Sequence, residues 1–137
     1  MTGAKVVELA RAQIGTPFRH QGRMPGVGLD CVGLVVCVAA ELGIQIADRD
    51  GYGRTPSSGL LEAAAAEQPA MVAVTDDLQE GDLLLMRFRR EPSHVAIYAN
   101  GTIIHALEPA GKVCEHVFSE LWQSRVVRRY RFRSKNE

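Results

Sequence analysis

The sequence predicts an α+β domain in which helices come first and an antiparallel sheet follows. Three observations carry this. Apolar residues near the start recur at helical spacing, strand-like runs fill the second half, and the tight-turn pairs Gly81-Asp82 and Asn100-Gly101 punctuate those runs.

Taken in order, Val6, Val7, Leu9, Ala10 and Ile14 define an amphipathic helix over 4–14, stopped by Gly15. "GTPFRHQGRMPGVGL" is rich in glycine and proline and reads as a long ordered loop. Asp30 is a good N-cap. Residues 31–42 are apolar on nearly every face before Gly43, which predicts a buried central helix. Residues 48–58 read as loop, and 59–68 as a short alanine-rich helix. "DLLLMRF", "SHVAIYA", "GTIIHAL", "GKVCEHV" and "RVVRRYRFR" read as strands, with a helical turn in "FSELWQS" before the last. No repeat or linker interrupts the pattern, so residues 1–137 are expected to form one domain.

The 137 residues suffice for a real hydrophobic core, and 46% hydrophobic with 23% charged content is that of a globular chain. Sixteen basic and sixteen acidic side chains leave no global field that would favour nucleic acid or a membrane surface. Charge does gather at the end, in Arg125, Arg128, Arg129, Arg131, Arg133 and Lys135. That is either a last strand with one solvated face or a contact for an anionic polymer or a partner protein. Three cysteines without paired spacing argue for reduced thiols. Lys5, Glu8 and Arg11 break the apolar pattern of "MTGAKVVELARAQIG", so no signal peptide is expected there, and no window reaches the length of a membrane span.

The chemistry centres on Cys31, one step inside the predicted central helix. There the unsatisfied N–H groups of the first turn and the helix dipole favour a thiolate, and Gly33 leaves room for a substrate near the backbone. The plainer reading is a small apolar residue early in a buried helix, as expected for Cys37 deeper in it. A nucleophile needs a base, and a group to orient that base. If the strands flanking Asn100-Gly101 pair Tyr98 with Ile103, His94 and His105 form a two-residue diagonal on one face, within side-chain reach. A metal site competes, because Cys114 and His116 lie one residue apart and His20 sits in the first loop. No C-x-x-C or H-E-x-x-H spacing occurs, so no metal is expected, and these three are read as structural or surface residues.

In chain order, "GTPFRHQG", "LDCVGLV", "LQEGDLLLM" and "SHVAIYANGTIIHA" resemble the NlpC/P60 family of papain-like cell-wall cysteine peptidases, and among them the short phage and prophage tail-associated members. The resemblance implies a papain-like NlpC/P60 fold, in which a helix-borne cysteine packs on an antiparallel sheet that supplies histidine. It also implies hydrolysis of peptidoglycan stem peptides, usually between D-γ-glutamate and meso-diaminopimelate, without any cofactor. Carried over by position, Cys31 matches the nucleophile, His94 the general base and His105 the residue that orients the base. Cys31 thiolate would attack the amide carbonyl, and His94 would protonate the leaving amine and then activate water. Backbone N–H groups at the helix start, that of Cys31 included, would meet the oxyanion. Two positions depart from the family pattern. Phe18 stands where a tyrosine hydroxyl commonly approaches the cysteine, which makes Arg19, His20 or a water its candidate replacement, and Val32 stands where serine is common. Asp30 and Gly33 complete the expected vicinity.

The same resemblance implies an enzyme of a phage tail tip, made in the host cytoplasm and carried in the virion to open the wall as DNA enters. Its partners would be peptidoglycan stem peptides and tail-hub proteins. The alternative is a structural tail-hub or tail-assembly protein that keeps the fold with idle activity and docks through its basic last strand as a free edge. A bacterial wall-remodelling enzyme or toxin is the third reading.

Overall fold

A computed structural model describes residues 2–44, 46, 71–88 and 91–133. The predicted loop at 48–58 and the alanine-rich helix at 59–68 lie outside the described residues. In chain order the elements are α1 (Thr2–Arg11), β1 (Arg23–Met24), β2 (Gly28–Leu29), α2 (Cys31–Glu41), β3 (Met71–Ala73) and β4 (Leu83–Phe88). Then come β5 (Glu91–Tyr98), β6 (Thr102–Leu107), a 3-10 turn (Glu108–Ala110), β7 (Lys112–Val117), α3 (Glu120–Gln123) and β8 (Val126–Phe132). The helices-then-sheet order is the α+β class expected.

α1 turns Val6, Val7 and Ala10 into the core, and stops before Ile14, which is exposed. The early stop has a main-chain cause. Gly15 N–H donates to the Val113 carbonyl at 2.9 Å, and Val113 N–H returns a bond to Thr16 at 2.9 Å. The segment after α1 is thus drawn along β7, and Phe18 N–H continues the contact to Gly111 at 2.8 Å. The expected long loop is more structured than its composition suggests, because β1 and β2 fold it into a two-pair antiparallel ribbon, Arg23 opposite Leu29 and Met24 opposite Gly28.

The six-stranded sheet has the order β3-β8-β4-β5-β6-β7, with every pairing antiparallel. β8 is therefore an interior strand, and β3 covers its outer side over Tyr130–Phe132. This corrects the expectation that the basic last strand offers a free docking edge. Part of its charge is used internally. Arg131 clamps the fully buried Asp82 at 2.6 Å and 2.9 Å and also reaches Asp76 at 3.1 Å, while Asp82 accepts the Gln79 N–H at 2.9 Å. That buried carboxylate is why the Gly81-Asp82 turn is fixed. Gly81 takes a φ of 92°, and a Cβ there would meet the Gly3 backbone at 2.7 Å, so only glycine lets α1 rest on the turn.

The two faces of the sheet differ. On one, Leu83, Leu85, Ile97, Ile104, Ala106 and Val113 pack against Val6, Val7 and Ala10 of α1 and Leu34 and Val38 of α2, which forms the main core. On the other, Leu84, Met86, Ala96, Ile103 and Phe118 make a smaller cluster, closed over by Trp122 of α3. No described helix is long and apolar enough to cross a membrane.

Candidate active site

The site begins with Asp30. Its side chain caps α2 by accepting Gly33 N–H at 2.7 Å, and it also binds the Gln21 N–H at 3.0 Å and Arg23 Nη1 at 2.9 Å. One buried carboxylate thereby fixes both the helix start and the loop beside it. Such a cap alone stabilises a helix by about 1 kcal/mol. Cys31 follows as the first residue of α2, is 8% exposed, and bears a free thiol, as do Cys37 and Cys114.

The sheet leaves a seam for that thiol. β5 and β6 pair only at Ile97–Ile104 and Tyr98–Ile103. Tyr98 gives its N–H to Asp82 on the β4 side at 2.8 Å, so alternation along the strand turns the Val95 N–H toward β6, where no partner strand meets it. That N–H is directed at the Cys31 sulfur, joined by the N–H of Val32. The nucleophile candidate is thus seated at the main chain one residue from His94.

His94, His105 and His116 come from β5, β6 and β7 and form a chain. His94 Nε2 and His105 Nδ1 are 2.7 Å apart, His105 Nε2 and His116 Nε2 are 2.8 Å apart, and His116 Nδ1 lies 3.0 Å from the Val117 carbonyl oxygen. The diagonal expected for His94 and His105 is present, in the register read from the Asn100-Gly101 turn. Apolar rings enclose the chain. Phe88 stacks on His94 at 4.8 Å, Trp122 lies against His105 at 5.1 Å and His116 at 5.0 Å, and the Arg125 guanidinium sits over both Phe88 and Trp122 at 4.8 Å.

Burial dominates the electrostatics. It pushes the Cys31 thiol up to about 12, with the Asp30 carboxylate adding to the rise, while the Val95 and Val32 N–H groups and Arg23 pull the other way. Burial thus opposes the thiolate that the first-turn N–H groups of the helix start favour. His94 is held well below the usual histidine range by burial, then by His105 and Arg125. Burial and then His116 pull His105 down to about 3. Burial favours the neutral form of the thiol and of both imidazoles.

The remaining expected residues are placed as follows. Gly33 does not leave space for a substrate, because a Cβ there would run into the Gly22 carbonyl, with Arg23 Nη1 at 3.3 Å. That expectation is corrected: the loop fills the gap. Phe18 packs its ring on the main core, and Arg19 lays its methylenes over Gly28. His20 is half-buried in the same loop. Cys114 lies opposite His105 on β7. Among the described residues no His, Cys, Asp or Glu group is arranged to hold a metal ion.

Sequence reading stopped one strand short at His116. The signal was available, since His94, His105 and His116 are spaced by 11 residues twice, and each hairpin repeats the same diagonal.

A cysteine at the start of a buried helix, set against a histidine-bearing antiparallel sheet, defines the papain-like fold class. The chain belongs to the NlpC/P60 family, whose profile matches residues 15–131. It is 34% identical over 116 residues to the probable endopeptidase Cgl2188 of Corynebacterium glutamicum, covering 84% of this chain and 48% of that protein. This chain thus spans about half the length of the two Corynebacterium glutamicum relatives it matches, and less than a quarter of the mycobacterial ones. Among solved structures, the NlpC/p60 domain of the peptidoglycan hydrolase SagA superposes with a TM-score of 0.67 at 25% identity, over 93% of this chain and 96% of that one. NlpC1 from Trichomonas vaginalis shares the fold, with a TM-score of 0.74 at 20% identity, over 97% of this chain and 45% of that one.

Proposed function

We propose that this chain is a cysteine endopeptidase of peptidoglycan, cutting stem-peptide amides, with the bond between D-γ-glutamate and meso-diaminopimelate as its target. The observation that carries the reading is the seating of Cys31 at the Val95 main chain, one residue from a His94 already tied through Nε2 to His105. Family membership, a relative named as an endopeptidase and a neighbour named as a peptidoglycan hydrolase support the substrate class.

The chemistry follows from a neutral resting pair. As the sulfur forms its bond to the amide carbonyl carbon, His94 takes the thiol proton. The oxyanion is met by the Cys31 N–H at the start of α2, a type of contact worth about 3 kcal/mol per donor. Collapse breaks the C–N bond, and His94 passes its proton to the departing amine. Water then attacks the thioester, gives a proton to His94, and Cys31 leaves as the thiol. His105 orients His94 throughout.

Mass spectrometry of purified muropeptides after incubation with wild-type and Cys31→Ala protein tests this. New stem-peptide fragments from the wild type alone are expected. No cleavage by folded wild type, or equal cleavage by Cys31→Ala, contradicts it. Delivery in a phage tail tip rests on the sequence resemblance to tail-associated members, whereas the named relatives are bacterial endopeptidases. Finding the chain in purified virions supports that setting, and finding it only in cell-wall fractions sinks it.

A further inference from the structure

We propose that His116 is a positioning residue that selects which nitrogen of His94 acts as the base, through His105. The proposal rests on the hydrolytic reading of Cys31 and His94 for its kinetic consequence, but its structural content stands on the histidine chain itself.

The direction of the chain follows from its last contact. A carbonyl oxygen only accepts, so the His116 nitrogen 3.0 Å from the Val117 carbonyl, Nδ1, carries a hydrogen. In neutral His116 the other nitrogen, Nε2, is then a bare acceptor. His105 Nε2, 2.8 Å away, must donate to it, which leaves His105 Nδ1 bare. His94 Nε2, 2.7 Å from that bare atom, must in turn donate. What remains is a bare Nδ1 on His94, which has no hydrogen-bond partner among the described residues. One backbone carbonyl on the outermost of the three strands thus specifies the accepting nitrogen two rings away.

The groups around His116 leave it free to play this part. β6 presents His105, and α3 presents the Trp122 ring at 5.0 Å, with the Arg125 guanidinium against the same indole. Its neighbour Glu115 is engaged with Arg11 at 2.9 Å and Thr102 at 2.6 Å, on the side of the strand facing α1.

Two variants separate this role from simple packing. In His116→Gln the amide oxygen can still accept from His105 Nε2. In His116→Leu the acceptor is gone. Imidazole 15N spectra of the full chain at neutral pH should show His94 bare at Nδ1 and protonated at Nε2 in the wild type and in His116→Gln. His116→Leu should lose that single tautomer. In muropeptide hydrolysis, His116→Leu should lower kcat by about 10–100-fold with little change in KM, the range that outer partners of metal-ligating histidines show. His116→Gln should keep most of kcat. The proposal is overturned by a wild-type His94 that carries its hydrogen on Nδ1, or by a His116→Leu protein with the wild-type tautomer and kcat. If no variant hydrolyses muropeptides, the hydrolytic reading fails, and the ring spectra still decide the tautomer assignment.

Discussion

Two neighbouring seams of the sheet are built differently. β6 and β7 are laddered through six residue pairs, from Thr102–Val117 to Leu107–Lys112. β5 and β6 meet at only two, Ile97–Ile104 and Tyr98–Ile103, and part beyond them. The closed seam holds the His105–His116 contact in a fixed register. The open one frees the Val95 N–H and admits the first turn of α2. A rigid ladder positions the histidines, and its interruption makes room for the thiol. Neither seam alone gives a site.

The largest effect is expected from breaking the closed side. Replacing His105 by leucine removes both ring contacts that tie His94 to His116, and kcat on muropeptides should fall on the order of 10³-fold, the middle of the range for losing acid–base function. Retention of wild-type kcat would show that His94 needs no partner.

A second change sharpens the comparison by disturbing a ladder that lies away from the open seam. Arg131→Ala leaves the fully buried Asp82 without its guanidinium, and stripping one member of a buried pair costs about 3 kcal/mol. Urea titration should show that loss, with kcat of the folded fraction unchanged. A drop in kcat at full stability would mean that the β4–β8 ladder is coupled to the seam.

The smallest effect is a slope. His105 is neutral in both states above the unfolded value of about 6.5, so nothing is lost there. Between that value and its folded value of about 3, only the unfolded chain binds the proton. Stability should therefore fall as pH falls through this window, by about 1.4 kcal/mol per unit for one such group. Unfolding midpoints of wild type and His105→Gln across the window test it, and equal slopes would assign the acid sensitivity elsewhere.

Much of this was legible in the sequence because local chemistry and tertiary role coincide. Asp30 caps, apolar residues fill α2 on most faces, and Asn100-Gly101 closes a hairpin whose register fixes the His94–His105 diagonal. What was not legible depends on long-range packing. Nothing local says that the Gly22 carbonyl occupies the space at Gly33, or that β3 covers β8. Nor does the helix-start position of Cys31 reveal how far burial raises its thiol. His116 falls between these cases. Its spacing was readable, but its meaning needed the strand order that puts β7 beside β6.

The central claim is that Cys31 rests as a buried neutral thiol in the open seam and is deprotonated only as it reacts. Site-resolved iodoacetamide alkylation of the full chain across pH, with Cys31 followed separately from Cys37 and Cys114 by mass spectrometry, tests this directly. The account predicts slow modification of Cys31 at neutral pH, rising toward strongly alkaline pH in keeping with a thiol pushed up to about 12. Fast alkylation with a plateau across mildly acidic and neutral pH would reveal a preformed thiolate and contradict it.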